Sequence, residues 1–280
     1  MKIVESPHEA YAHVDHWRRE GLSIGLVPTM GALHEGHFSL VRRSTEECDI
    51  TAASIFVNPT QFSPEEDLDR YPRTLDDDLA GLRKLGCDLV FVPQPQHVYP
   101  KGFSTYVSPP AAAESLEGQF RPDHFRGVTT VVMKLFQMLP ASIAYFGQKD
   151  FQQLAVIKKM VEDLNVPIRV EGCATIREED GLALSSRNRY LSAEERERAL
   201  NLSKALNQVH SLVAQGVVQV DHLEQEMHRT LEPATDSIDY ASIVDRETLE
   251  PIVEIDRPAV ALIAAFVGKT RLIDNRLIGE

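Results

Sequence analysis

The sequence predicts a doubly wound α/β protein, a mostly parallel sheet with helices on both faces, followed by a smaller α+β region. Two observations carry that prediction. Over about the first 175 residues, short apolar runs alternate with helix-like stretches, the pattern of successive βαβ units. Beyond Arg177 the alternation stops, and two helical patterns are followed by three strand patterns.

The elements follow in order. Leu22–Pro28 (LSIGLVP) reads as a buried strand, and His37–Cys48 suits a short helix with Phe38, Leu40 and Val41 on its apolar side. Thr51–Asn58 (TAASIFVN) reads as the second strand. Leu75–Leu85 reads as a helix that stops at Gly86, a residue suited to a left-handed C′ position. Asp88–Pro93 is the third strand, Val128–Leu139 a helix, and Ser142–Phe146 the fourth strand. Asp150–Asn165 is helical, and Ile168–Ala174 is the fifth strand. Right-handed crossovers would line the strand-to-helix turns along one edge, where ligands bind.

Near Arg177 the chain turns polar (IREEDGLALSSRNRY), and a domain boundary is expected between 175 and 185. A long helix then opens with Ser192 as N-cap and Glu195 three residues later, a capping box. A second helix is expected at Asp221–Leu231, and strands at Ile238–Val244, Ala259–Val267 and Thr270–Ile273. There is no internal repeat and no low-complexity segment.

Composition narrows the function. A chain of 280 residues with 43% hydrophobic content can bury a sizeable core. No apolar run reaches the roughly 18 residues of a membrane span. The start, MKIVESPHEAYAHVDHW, is polar and acidic, unlike a signal peptide. Cys48, Cys87 and Cys173 lie far apart and form no CxxC, so reduced thiols in the cytosol are expected. The formal net charge of −13 argues against tRNA or DNA as the main partner, because such a chain repels a polyanion at long range. A small anion remains open, since a local group of cations and N–H donors outweighs a distant net charge.

GALHEGH, residues 31–37, is the stretch with most chemistry. It admits a metal site, a phosphate site, or two ordinary helix histidines. The metal reading fails on spacing: HExxH sets histidines at i and i+4, whereas His34 and His37 stand at i and i+3 around Gly36. Position favours phosphate. The pair falls where the first strand ends and a helix begins, and free N–H groups and the dipole at a helix N-terminus favour an anion there. Gly31 and Gly36 would allow a close backbone approach. Two imidazoles three apart share a helix face, and each can donate to a phosphate oxygen.

PTMGALHEGH resembles the HxGH signature of the nucleotidyltransferase superfamily, which includes class I aminoacyl-tRNA synthetases. Five blocks in order, VPTMGALHEGH, SIFVNPTQF, HFRGVTTVVMKLF, YFGQKDFQQ and DGLALSSRNRYL, are together similar to the pantoate–β-alanine ligase (pantothenate synthetase) family. They run from about residue 22 to 191, and the last third is compatible in length and pattern. The resemblance implies a Rossmann-like domain over 1–176 that binds ATP and pantoate, and a C-terminal α+β lid domain over 177–280. It implies condensation of (R)-pantoate with β-alanine through a pantoyl adenylate, releasing AMP and pyrophosphate, with Mg²⁺, in a cytoplasmic homodimer.

The matched motifs imply residue roles. His34, His37, Lys149 and Arg187 would be catalytic, with His37 as the acid. The turn Met30–His37, including Gly31, would line ATP, and histidine titrates in the right range to donate to pyrophosphate. Asn58 and Gln61 of NPTQF, with Gln153 of FQQ, would bind pantoate, and Pro28 and Met30 would wall its dimethyl group. Gly147, Gln148, Lys149 and Asp150 form the next turn, where Gly147 permits close approach, Lys149 is a point charge for phosphate, and Asp150 holds Mg²⁺, touches the nucleotide or caps the helix. Leu184, Ser185, Ser186 and Arg187 take the place of the superfamily's KMSKS loop, and Ile176 would lie against adenine. The segment 65–78, EEDLDRYPRTLDDD, reads as a solvated face and helix start, while Arg126 and Trp17 read as ordinary.

Two other functions fit less well. A small-molecule adenylyl- or cytidylyltransferase would retain the nucleotide in its product, and the glutamines of NPTQF and FQQ favour a polyol acid instead. A tRNA synthetase would need a longer, less acidic chain, and a non-catalytic nucleotide-binding regulator would have no need of His34, His37, Lys149 and Arg187 together.

Overall fold

A computed structural model describes residues 1–63, 68 and 71–279. In chain order the elements are β1 (Lys2–Val4), α1 (Pro7–Arg19), β2 (Ile24–Thr29), α2 (Glu35–Glu47), β3 (Ile50–Ile55), α3 (Leu75–Lys84), β4 (Leu89–Phe91), α4 (Pro95–Val98), α5 (Glu117–Phe120), α6 (His124–Met138), β5 (Ile143–Gly147), α7 (Phe151–Asp163), β6 (Arg169–Cys173), α8 (Ala193–Ala214), α9 (Val220–Leu231), β7 (Ser237–Asp245), β8 (Ala259–Val267) and β9 (Thr270–Ile278). Short 3-10 turns cover Pro59–Gln61, Ala111–Ala113, Gln148–Asp150 and Ser186–Tyr190.

The first six strands form one sheet in the order β1-β4-β3-β2-β5-β6, with every pairing parallel. Their side chains alternate between faces, as strand geometry demands. Ile24 and Leu26 of β2, Ala52 of β3, Leu89 and Phe91 of β4, and Ala144 and Phe146 of β5 pack with α1, α6 and α7. Val27, Ala53, Val90, Ile143 and Tyr145 face the opposite way and pack with Leu40, Val41 and Leu82 of α2 and α3. Burial on both faces is why these strands read as continuous apolar runs. Gly25 is needed because a Cβ there would lie 2.1 Å from Ser44 Oγ on α2.

The chain divides into two compact units: Met1–Ala113, Arg121–Gln148 and Gln153–Ala174 form one, and Glu114–Phe120, Lys149–Gln152 and Thr175–Glu280 form the other. In the second unit, β7-β8-β9 is an antiparallel sheet covered by α8 and α9. The Ser192–Glu195 capping box forms: Glu195 N–H donates to Ser192 Oγ at 3.2 Å, and Ser192 N–H to Glu195 Oε2 at 2.8 Å.

Several elements differ from the sequence reading, among them the short helices α4 and α5. β1 and α1 precede the first expected strand; β1 has three residues, and in α1 only Ala10 and Val14 are buried. α6 starts one turn early and runs through Gly127, where a Cβ would sit 2.4 Å from the Thr60 carbonyl oxygen. β9 runs to Ile278, past the expected Ile273, because it buries the polar pair Asp274 and Asn275 that breaks its apolar pattern.

Candidate active site

In the first unit, β2 is the point where strand order reverses. The chain steps from β2 to β3 and β4 on one side, while β5 and β6 lie on the other. Ligands bind outside the carboxyl ends of strands at such a point. The turn after β2 is GALH, and the turn after β5 opens with Gly147 and Gln148.

The GALH turn is built around one carboxylate. Gly31 and Ala32 both adopt positive φ, 82° and 51°, and a left-handed alanine costs about 1 kcal/mol. Asp78 of α3 fixes them. Its carboxylate accepts from Ala32 N–H at 2.9 Å, Leu33 N–H at 2.8 Å and Thr74 Oγ1 at 3.1 Å. Asp78 is only 2% exposed, so these bonds act in a dry setting. This corrects the reading of 65–78 as a solvated face: Asp76 and Asp77 are exposed, but Asp78 points inward. Residues 65–67, 69 and 70 of that segment lie outside the described residues. Asp78 could have been found by spacing, since it stands four residues before the buried Leu82, on the same helix face.

His34 and His37 then cap α2 reciprocally. Gly36 N–H donates to His34 Nδ1 at 3.1 Å, and His34 N–H donates to His37 Nδ1 at 3.3 Å. The ring centroids are 4.2 Å apart. A backbone N–H can only donate, so both Nδ1 atoms are acceptors and each neutral ring carries its proton on Nε2. Two expectations change. The N–H groups of Ala32, Leu33, His34 and Gly36 are bonded within the protein, so the imidazoles, rather than a bare backbone nest, are what the turn offers an anion. Gly36 is needed because a Cβ would lie 2.9 Å from His34 Cε1.

Beside this turn stands the Asn58–Gln61 pair. Asn58 is 1% exposed and its amide is satisfied within the protein. Its Nδ2 donates to Gln61 Oε1 at 2.9 Å and to the Gly127 carbonyl at 3.2 Å. Its Oδ1 accepts from Tyr99 OH at 2.7 Å and Thr60 Oγ1 at 2.9 Å. Asn58 thus holds Gln61 Oε1 with an amide that is bonded into the protein on both sides. With Oε1 engaged, Gln61 presents its Nε2 donors, one of them 3.4 Å from Met30 Sδ. His124 Nδ1 lies 2.9 Å from the Gln61 carbonyl oxygen and fixes the main chain. Tyr99 and His124 were not anticipated; each acts on Asn58 or Gln61 from more than thirty residues away along the chain. Burial raises the Tyr99 phenol above its usual range, which keeps it a donor. Pro28 and Met30 are half-buried. Gln153 is half-buried on α7, and no hydrogen bond joins it to Gln61 among the described residues.

In the second unit, Ile176 and Leu184 flank a short hairpin. Arg177 pairs with Ala183 as an antiparallel bridge, and Leu184 N–H donates to the Ile176 carbonyl at 3.0 Å. Arg177 forks onto Asp274 at 2.8 and 2.9 Å and also reaches the Gly181 carbonyl at 3.1 Å. Glu178 accepts from Arg196 and from Asn188 Nδ2, and Arg196 also grips Asp180 at 2.6 Å. Burial pushes the Asp180 carboxyl up, but the Leu182 N–H and the Arg196 guanidinium outweigh it and hold it below the usual range. After the hairpin, Ser185 Oγ accepts from Arg187 N–H at 3.3 Å and starts the 3-10 turn with Ser186 and Arg187. Lys149 is half-buried and Asp150 exposed. Among the described residues no group of three His, Cys, Asp or Glu side chains could hold a metal ion, and Asp150 belongs to no such group.

Arg126 lies outside this arrangement, 4.8 Å over the Tyr106 ring, and Trp17 packs against the core beside His13. Cys48, Cys87 and Cys173 are free thiols, and burial pushes Cys87 up to about 12.

Comparison with known proteins adds independent findings. The family described as pantoate-beta-alanine ligase matches residues 2–277. The pantothenate synthetase of Rhodopirellula baltica is 57% identical over 267 residues, covering 93% of this chain and 94% of that protein. The crystal structure of pantothenate synthetase from Thermus thermophilus superposes with a TM-score of 0.94 at 43% identity, covering 99% of each chain. That of the Francisella tularensis pantoate-beta-alanine ligase, complexed with beta-gamma ATP and beta-alanine, gives 0.83 at 33% identity, covering 99% of this chain and 97% of that one.

Proposed function

We propose a division of roles from one premise: the chain belongs to the pantoate–β-alanine ligase family. It is an ATP-dependent ligase of pantothenate biosynthesis, joining (R)-pantoate to β-alanine through a pantoyl adenylate and releasing AMP and pyrophosphate.

In the first half-reaction a pantoate carboxylate oxygen attacks the α-phosphorus of ATP, and the bond to pyrophosphate breaks. His34 and His37 donate hydrogen bonds from Nε2 to phosphate oxygens, and His37 stabilises the oxygen on which negative charge grows as pyrophosphate departs. The backbone bonds at both Nδ1 atoms hold the rings in the tautomer that can do this. That is the observation that carries the assignment. Met30, Gly31, Gly147 and Gln148 line the nucleotide. Lys149, Ser185, Ser186 and Arg187 neutralise the β- and γ-phosphates, and Ile176 and Leu184 receive the adenine. Gln61 donates from Nε2 to pantoate, Gln153 offers its amide to the same substrate, and Pro28 and Met30 wall its methyl groups.

In the second half-reaction the β-alanine amine attacks the acyl carbon, the acyl–phosphate oxygen bond breaks, AMP leaves and the amine loses a proton. Residues from 177 onward are assigned as a lid that keeps water from the adenylate. Mg²⁺ uses few protein ligands and takes most of its oxygens from phosphates and water, so the single exposed Asp150 carboxylate fits it. When bound with ATP it would lower the charge on the phosphates. Family membership also supports a cytoplasmic homodimer, for which sizing chromatography should return twice the chain mass.

The test separates the two steps. Labelled pyrophosphate should exchange into ATP only when pantoate is present, and AMP should appear only after β-alanine is added. A folded, ATP-binding protein that shows no pantoate-dependent exchange would overturn the reading.

A further inference from the structure

We infer that Asp274 and Asn275 on β9 are positioning residues for adenylation, holding Lys149 and the Ile176–Arg187 segment in one register. The inference rests on the roles proposed above for Lys149 and Arg187.

Two adjacent polar residues are buried in the middle of a strand, at 3% and 7% exposure. Burying them is costly unless they are bonded to something that needs them. Asp274 takes both ends of the Arg177 guanidinium, at 2.8 and 2.9 Å, and its own Oδ1 accepts from Asn275 N–H at 2.7 Å. The Asn275 carbonyl accepts a further bond from Arg177 at 3.2 Å. Arg177 is the base of the hairpin: it bridges to Ala183, and the Ala183 carbonyl accepts from Asn188 Nδ2 at 3.1 Å, which ties down the turn carrying Ser186 and Arg187. On the same dipeptide, Asn275 Nδ2 donates to the Lys149 carbonyl at 2.7 Å. Lys149 and Arg187 are 38 positions apart in sequence, and Asp274–Asn275 is bonded to the segments of both. A two-residue step of one strand therefore sets the spacing of two cations proposed for one polyphosphate.

This makes the lesion selective. Pyrophosphate is gone once the adenylate forms, so misplacing Lys149 and Arg187 should slow adenylation and spare aminolysis. A merely structural role would lower both rates together. The experiment uses the full chain with Asn275→Ala, and with Asp274→Asn, which keeps the side chain's shape but removes the charge facing Arg177. Two rates are read on each preparation: pantoate-dependent pyrophosphate exchange, and AMP release when β-alanine meets isolated enzyme-bound adenylate. Their ratio does not depend on the folded fraction. Exchange should fall about tenfold, the effect of roughly one lost hydrogen bond, with aminolysis within about twofold. Lys149→Ala is the reference. If it slows exchange while both β9 variants leave the ratio unchanged, or slow both steps equally, the positioning inference is overturned and the proposed mechanism stands. If Lys149→Ala itself leaves exchange unchanged, the phosphate role of Lys149 fails first, and the inference with it.

Discussion

The turn after β2 and the hairpin after β6 are each proposed to bind phosphate, yet they are held by different means. The GALH turn is fixed by backbone N–H groups: two donate to the buried Asp78 carboxylate, and two to imidazole nitrogens. The hairpin is fixed by side-chain ion pairs, Arg177 to Asp274 and Arg196 to Glu178 and Asp180, and the second of these is about one-third exposed. Backbone bonds to a dry carboxylate set a geometry to a fraction of an ångström and are little affected by salt. Ion pairs exposed to that degree, as those of Arg196 are, are worth less and are screened, although Asp274 itself is buried. The groups proposed to act on the reacting phosphorus are thus preset, while those proposed for the outer phosphates are held more loosely.

His37→Ala probes the preset side and should have the largest effect. Turnover should fall about 10²- to 10³-fold, while loss of one cap costs about 1 kcal/mol of stability. Steady-state kinetics with a thermal midpoint separates the two; unchanged turnover would remove His37 from the chemistry and much of the contrast. Asp78→Asn comes next. It keeps the side chain's size but turns an NH₂ toward N–H donors, so we expect turnover to fall about tenfold or more and stability by about 1–3 kcal/mol. If the variant works normally, the turn is no better fixed than the hairpin. Tyr99→Phe removes one of the donors to Asn58 Oδ1. The KM for pantoate should rise a few-fold, with exchange at saturating pantoate nearly unchanged, about the effect of one hydrogen bond one residue removed. A matching fall in kcat would place Tyr99 in the preset group.

The smallest effect is on the hairpin. Asp180 titrates below the usual carboxylate range when folded, so the ionised form favours the fold. Its contribution is complete above about pH 4 and fades as pH falls through the depressed value. Denaturant titrations of the protein and of Asp180→Asn should differ at about pH 7 and draw together as the pH falls below the ordinary carboxylate range. A gap that widens in acid would mean the sign is wrong and the hairpin is not held by that charge.

Much of this architecture was readable before any coordinate. The strands of the parallel sheet were legible because both faces are apolar, and the C-terminal helices because of a capping box and a regular period. β1 was not, since three residues carry no period; α1 does carry a start signal, Ser6 and Pro7 ahead of Ala10 and Val14. In the site, the motif residues were legible, and what holds them was not. Asp78 reaches back 46 positions to Ala32, and Asp274 reaches 97 to Arg177. Such pairings depend on strand order, which one sequence does not reveal. Asn58 shows the same gap: its residue type suggested a polar contact, while its inward bonds to Gln61 and the Gly127 carbonyl carry no sequence signal.

The reciprocal cap on α2 has one more consequence. Each imidazole does its structural work through the π nitrogen, and the phosphate contact proposed for it runs through the τ nitrogen. A single methyl group can therefore part the two. Methylhistidine with the methyl on τ at position 37 should leave the helix start in place and silence hydrogen-bond donation to the phosphate. The isomer methylated on π should keep a basic nitrogen on the chemical side while unseating the helix from its own first turn.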